Sequence, residues 1–463
     1  MFFAIPMLLL QGAILYFAFI GIKATVEKSQ GAHGLTMIRD LMKYLALLIS
    51  VVITCLGLAG LLTLLIDNQS SSYDDKLSAA RWLSFVFIGI PVIAIISRWI
   101  KKDFTKDLGA SQEPAWQIYL LAGSTLSLLI WFIPLSSALE WLAGGEYQPR
   151  ALAQSLVAFA VWVIHLQLIK LHQSIIANIH RFIGWFVGLV GGGISLVNLI
   201  DYGLSKATDL NIGTLQFQEG IILFAISAPT AIYYWQNFNH HSTELEARIY
   251  RTFAGMAVPI LFATIAATFA IHQFLAWNFD TRYQDRVSFF EEVPSQIGAV
   301  IVLIPIILFF RRLVADFERD DITRSFQYLI TAGGVFGIAI GIGAVVAGLL
   351  DKTDTDAILF GIAILITTGL SWVRNWRHCQ FAISIDFEGE HHSPARRIFL
   401  YAATGIPTIA CIGGSVWVSY NVFRALLVGG FDRIAVATPA GILVGGGVVA
   451  IYHATVLRRE REN

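Results

Sequence analysis

The stretch Leu303-Ile304-Pro305-Ile306-Ile307-Leu308-Phe309-Phe310-Arg311-Arg312, LIPIILFFRR, puts a proline inside an apolar run and ends the run on two arginines. In the interior of a soluble helix the proline ring would remove a backbone donor and crowd the preceding turn. In a packed membrane bundle, neighbouring helices tolerate that bend, and arginines mark the point where the chain leaves the lipid. Related phrases stand at 89–99 (GIPVIAIISRW), at 227–236 (SAPTAIYYWQ) and, without the proline, at 159–170 (FAVWVIHLQLIK).

Aligned on the proline, these phrases share a loose pattern. Proline itself is present at Pro91, Pro229 and Pro305. Two positions on stand Trp162 and Trp372, five on stand His165 and His453, and six on stand Trp235 and Trp376. A second phrase precedes each of them: ARRIFLYAATG at 395–405 is similar to EARIYRTFAG at 246–255, TRSFQYLITAGG at 323–334 and PAWQIYLLAGS at 114–124. The phrases recur at roughly 70-residue intervals, and self-similarity at a near-fixed period marks duplicated units.

Composition says what the unit is. Of the 463 residues 56% are hydrophobic and 14% charged, with a mean hydropathy of +0.67. A soluble domain carries about 25% charged residues. The runs 44–66, 252–277, 325–350 and 398–423 hold no Asp, Glu, Lys or Arg, and each exceeds the ~20 residues needed to cross a bilayer. The expectation is an all-α polytopic membrane protein of about 13 transmembrane helices. An N-terminal span within 1–30 precedes six two-helix hairpins at 35–106, 112–172, 177–240, 245–318, 323–380 and 395–463. The N-terminus lacks a basic n-region and a small-residue cleavage site, so it reads as a retained span rather than a signal peptide.

Arg396-Arg397-Ile398-Phe399-Leu400-Tyr401, the pair Trp162 and His165, and the pair Trp372 and Trp376 resemble motifs of the bacterial membrane-domain family of unknown function 5671. The resemblance extends over nearly the whole chain as tandem copies. It implies a membrane-embedded helical fold and brings no activity with it.

Lys and Arg concentrate in the connectors after the odd-numbered spans and at the C-terminus, which puts the N-terminus outside and the C-terminus in the cytoplasm. That topology makes the protein a multi-pass component of the inner (plasma) membrane. The opposite ends carry Asp67, Glu140, Asp201, Asp280, Asp351 and Asp432, read as interfacial acids. Trp116 and Trp376 on the inner side, with Trp141 and Trp277 on the outer, suit aromatic belts.

The spans are informative for what they lack. Proton pumps and ion-coupled carriers keep ionisable groups at mid-membrane depth, and no Asp, Glu, Lys or Arg falls there. Gly184, Gly188 and Gly192 form one small-residue run and Gly333, Gly337 and Gly341 another; both let helix backbones approach closely. His165 and His453 hold equivalent repeat positions and are the candidate haem ligands, since a membrane b-type haem needs two imidazoles. The connectors NHHSTELE (239–246) and EGEHHSPARR (388–397) pair histidines with acids and read as solvated linkers, with zinc as the sharper alternative. Cys55, Cys379 and Cys411 show no paired spacing.

No phosphate loop, nucleophile elbow or HExxH helix is present, and no connector is long enough for a soluble catalytic domain. A net charge of +0 suggests no nucleic-acid partner. The leading expectation is a non-enzymatic scaffold or accessory subunit, with no cofactor, whose partners are the lipid bilayer and other membrane-protein subunits. A transporter or channel for a neutral or lipophilic solute is the alternative, and a haem-bearing electron-transfer subunit the third.

Overall fold

The computed structural model describes residues 33–67, 73–106, 114–171, 175–207, 214–284, 289–314, 320–351, 354–428 and 432–462. The N-terminal span expected within 1–30 lies outside them. Among the described residues the secondary structure is helical throughout. In chain order the helices are α1 (His33–Ile66), α2 (Tyr73–Lys106), α3 (Pro114–Leu142), α4 (Pro149–Leu171), α5 (Ile175–Ala207) and α6 (Thr214–His241). There follow α7 (Glu244–Thr252), a π-helical turn (Phe253–Ala257) running into α8 (Val258–Phe279), the short α9 (Thr281–Gln284) and α10 (Phe289–Val314). The remainder are α11 (Asp321–Leu350), α12 (Thr355–Ile385), the short α13 (Phe387–His391), α14 (Pro394–Val428) and α15 (Arg433–Glu462).

Eleven of the described helical stretches are long and apolar enough to cross a membrane, α7 and α8 counting as one. This is an integral membrane protein. Helix α6 is not among the eleven. Gln218 and Glu219 at its start and Tyr233, Tyr234 and Gln236 near its end dilute the apolar centre.

The chain divides into two compact units. The described part of the first runs to Gly192 and takes in Ile221–Ser242; the second holds Gly193–Gly220 and everything from Thr243 onwards. Within the first unit, α1 touches α2, α3 and α4, and α3 pairs with α4. Within the second, α11 does the same with α12, α14 and α15, and α14 pairs with α15. Helix α8 joins this second set through α10 and α12.

Each four-helix set has its own aromatic core. Tyr44, Trp116, Tyr119 and Leu120 form the first with Ile96, Ile100 and Ile169; Tyr328, Trp376, Phe399 and Leu400 form the second with Cys379 and Val449. Trp116 and Trp376, expected in an interfacial belt, are each 5% exposed. An indole whose flat faces are covered on both sides gains more from packing than from the headgroup region.

The structure explains the recurring phrase. The residue five places after each phrase origin is a bulky side chain buried in the hairpin: Ile96, His165, Tyr234, Phe310 and His453 are all nearly inaccessible. Three of them rest on a glycine of the preceding helix. A Cβ added to Gly123 would lie 2.3 Å from His165 Nε2, one added to Gly184 2.5 Å from the Tyr234 ring, and one added to Gly255 2.5 Å from the Phe310 ring. In the fifth hairpin the phrase differs. Trp376, one place later, is the buried residue, and Gly334 meets Trp372 with an added Cβ at 2.8 Å.

Glycine sets the helix separations. Lipid tails are as apolar as the side chains, so association depends on close contact rather than on escape from water. Gly184 and Gly188 pack α5 against α6, with an added Cβ at Gly188 only 2.5 Å from the Ala231 backbone nitrogen. Gly192 is looser at 3.8 Å from Ser227, and Gly191 makes the tight contact there instead. On α11, Gly337 and Gly341 face Thr368 and Leu365 of α12, whereas Gly333 meets nothing within 4 Å and its neighbour Gly334 makes the approach. The same helix has a second small-residue face. Ala339, Gly343 and Ala347 meet Gly441 and Gly445 of α15, backbone against backbone.

Candidate functional site

The most chemically loaded region lies where α13 and the starts of α11 and α14 meet the end of α15. Pro394 begins α14, and its first turn brings Arg396 inwards, where only 1% of the residue is exposed. Asp386 caps α13, its side chain accepting from Gly389 N, and this short helix delivers Glu390 to full burial. Asp320 caps α11 by accepting from Thr323 N, with Arg324 and Tyr328 on the following turns.

These side chains form one continuous network. Arg324 Nε donates to Glu390 Oε1 at 2.9 Å, and the Tyr328 hydroxyl donates to Glu390 Oε2 at 3.2 Å. Arg396 Nη1 donates to the Tyr328 oxygen at 2.9 Å, while its Nε and Nη2 reach the Glu460 carboxylate. His391 Nε2 donates to the Glu460 carbonyl at 3.0 Å, tying down the end of α15. Arg324 also pairs with Asp386 at 3.2 Å and Asp321 at 3.3 Å. The Arg396 guanidinium lies 5.6 Å from the Trp376 ring and 5.9 Å from that of Tyr328. Every charge taken from water here is met by an opposite charge or a hydroxyl, as burial demands.

Below the network, His453 is 1% exposed, 5.6 Å from Phe399, 5.9 Å from Trp376 and 5.0 Å from Tyr452 between ring centroids. Its Nδ1–H donates to the Val449 carbonyl at 2.9 Å, which leaves Nε2 as a lone-pair nitrogen with no partner. Trp376 Nε1 donates to the Tyr452 hydroxyl at 2.8 Å. Trp372 lies 5.7 Å from Tyr452, its own Nε1 unpartnered.

The first unit builds the same constellation with different charges. Tyr44 stands where Tyr328 does, 5.4 Å from Trp116 and 6.1 Å from Tyr119, and Tyr119 lies 5.6 Å from His165. Trp116, three residues before Tyr119, takes the position that Arg396 holds before Phe399. Lys43 supplies the cation, 4.9 Å from the Tyr44 ring, and pairs with Asp103 at 2.8 Å and Asp40 at 3.2 Å. His165 Nδ1–H donates to the Val161 carbonyl at 2.9 Å. Trp162 stacks on Trp131 at 5.0 Å.

His165 Nε2 lies against Gly123 of α3, where an added Cβ would come within 2.3 Å of it. Gly123→Ala is therefore expected to destabilise the protein by about 1–2 kcal/mol through overpacking. His165→Ala in the same chain should recover part of that loss, which a double-mutant cycle on thermal unfolding in detergent reads directly.

The remaining sequence candidates have local duties. His241 Nδ1–H donates to the Asn237 carbonyl at 2.8 Å, and His392 meets Arg397 at 2.8 Å and Glu388 at 3.3 Å. Among the described residues no three His, Cys, Asp or Glu side chains converge as metal ligands. Asp67 accepts from the Tyr147 hydroxyl at 3.1 Å, and Asp432 accepts from Ala435 N at 3.1 Å. Asp280 receives Nε and Nη2 of Arg282 at 3.2 and 3.1 Å, and that guanidinium holds its carboxyl below the usual carboxylate range. Pro91, Pro229 and Pro305 lie inside continuous helices α2, α6 and α10. Trp235 lies 5.3 Å from Trp185 across α5 and α6.

Several mid-span hydroxyls turn back to their own helices, whereas Thr125 Oγ1, Ser227 Oγ and Thr404 Oγ1 are buried without a hydrogen-bond partner among the described residues. Thr54 donates to Ser50 O at 2.8 Å, Ser124 to Leu121 O at 3.1 Å and Ser415 to Cys411 O at 2.8 Å. Thr268 Oγ1 lies 2.8 Å from Thr264 O and 2.7 Å from Thr367 Oγ1, joining α8 to α12.

Residues 40–168 and 324–450 each match the profile of a domain of unknown function, DUF5671, and together the two segments span more than half of the chain. They begin four residues before Tyr44 and four before Tyr328; the first segment takes in its whole constellation, whereas the second stops short of Tyr452, His453 and Glu460. No curated protein and no solved structure matches the chain.

Proposed function

The chain belongs to the DUF5671 family as tandem copies, and from that premise we propose that it is a non-enzymatic membrane scaffold, an accessory subunit of a larger membrane assembly. The observation that supports this reading is the bonding of five mid-span hydroxyls. A solute pathway near the midplane needs polar side chains aimed into a shared space, whereas Thr54, Ser124, Thr268, Thr367 and Ser415 bond to their own helices or to one another. The charged network is likewise spent on ion pairs that tie helix ends together. Such a bundle is suited to holding shape and offering apolar faces.

Large apolar side chains stand out along α14, among them Ile409 at 70%, Val416 at 65% and Leu427 at 84% exposure. They offer a surface for lipid or a neighbouring subunit. In this reading the chain has thirteen spans, the eleven apolar stretches with α6 and the N-terminal run added. The Lys and Arg bias puts the N-terminus outside and the C-terminus in the cytoplasm of a bacterial inner membrane.

Gentle extraction of the native protein, native mass spectrometry and an absorption spectrum of the same fraction test the proposal. Stoichiometric membrane-protein partners are the expected result. A solitary, colourless particle that takes up a neutral solute when reconstituted would replace the scaffold with a transporter. A Soret band lost in His165→Ala would replace it with a haem subunit.

A further inference from the structure

We propose that the outward face of α12 binds one anionic phospholipid, with Arg374 and Arg377 holding its phosphate and the groove below them holding an acyl chain. The groove is a shallow, open depression of about 900 Å³ whose described lining comes from α12 alone; it is apolar from Ile362 through Leu370 to Val373 and ends at the two arginines. Eleven helical residues rise about 16 Å, close to half of the ~30 Å hydrocarbon core, so its apolar part matches the depth of one leaflet.

Three features point to a lipid rather than to another helix. Both arginines are exposed, and neither makes an ion pair with a described carboxylate, so their guanidinium forks are open to a phosphate. Gly369 forms the floor of the groove, and an added Cβ there would meet nothing within 4 Å, so the depression is not a seat for this unit's own side chains. The opposite face of the same stretch already has its partners, Trp372 against Gly334 and Trp376 in the aromatic core. A cationic cluster above an apolar slot at a membrane interface has the chemistry of an anionic headgroup site. A helix lying in the slot would have to bring its own acids to the same spot.

The inference rests only on the chain lying in a bilayer, and it stands whether or not the scaffold reading holds. The test uses the full-length protein in a neutral detergent, titrated with phosphatidylglycerol or phosphatidylcholine and read by native mass spectrometry. Phosphatidylglycerol is expected to stay bound through delipidation that strips phosphatidylcholine. Binding should weaken about fivefold for each arginine removed in Arg374→Ala and Arg377→Ala. Gly369→Leu, which fills open space and leaves the internal packing alone, should weaken it at least as much with both arginines present. Arg311→Ala with Arg312→Ala, at the exposed end of α10, should leave it unchanged. Equal retention of the two lipids overturns the proposal, as does full retention by Gly369→Leu, which would reduce the arginines to a diffuse surface attraction. A dimer that dissociates in Gly369→Leu would seat a second copy in the groove and overturn it too.

Discussion

Replacing Gly445 by Val is expected to cost the second unit about 3 kcal/mol, the upper end of what overpacking does to a well-filled core. A Cβ at Gly445 would lie 2.1 Å from the Ala339 carbonyl oxygen, and one at Gly441 2.2 Å from that of Gly343. Both obstacles are backbone, so no rotamer change relieves them; α11 and α15 must separate. Separation is expensive in lipid because small-residue contacts, not exclusion of water, hold the pair together. The contrast is Gly447, two residues on in the same glycine triplet and so on the far side of the helix, where an added Cβ meets nothing within 4 Å. Gly447→Val should fall within about 0.5 kcal/mol of the parent, as surface substitutions do. Thermal unfolding in detergent, followed by tryptophan fluorescence, compares them. Equal midpoints for Gly445→Val and the parent would mean that the two helices do not meet as described.

The second large effect is expected at Arg396. Arg396→Met keeps an unbranched apolar stem but leaves Glu460 without its guanidinium and Tyr328 without a donor to its oxygen. Breaking a buried ion pair from one side costs about 3–5 kcal/mol, much of it the penalty of the stranded partner. Glu460 is 20% exposed and can draw on water, so the lower end of that range applies. Adding Glu460→Gln to Arg396→Met removes the stranded charge and should restore a kcal/mol or more, the non-additivity expected of groups in one network. Arg397→Ala, one residue on, is the control. That side chain is exposed and bonded to His392, so its loss should be almost silent. Two neighbouring arginines with the same sequence context thus differ in expected effect by several kcal/mol.

That pair illustrates what sequence reading reaches. Arg396 and Arg397 stand out in the repeated phrase, but nothing local says which one turns inwards. The partners that decide it, Glu390, Tyr328 and Glu460, come from three other helices, the last of them 64 residues away. The conserved-looking position five after the phrase origin is similar. Its recurrence was visible, and His165 and His453 invited a cofactor. In the fold the position is, in five of the six hairpins, a buried side chain of the second helix, and His, Tyr, Phe and Ile all serve. The glycine runs were legible as small faces, yet the run on α11 is used from Gly334 rather than Gly333, and its other face towards Gly441 and Gly445 gave no separate signal. Three adjacent glycines, 445 to 447, point in three directions around a helix, and only packing distinguishes them.

By itself, then, the sequence determined that this chain is a bundle of membrane helices built from duplicated hairpins. Hydropathy over twenty residues and the recurrence of short phrases are local properties, and in lipid a helix must satisfy its backbone within itself. Tertiary structure alone decided which glycine lets two backbones touch, which arginine is buried, and which mid-span hydroxyls are bonded back to their own helices. Those outcomes depend on contacts between helices far apart in the chain, where a difference of one residue turns a side chain through about 100°.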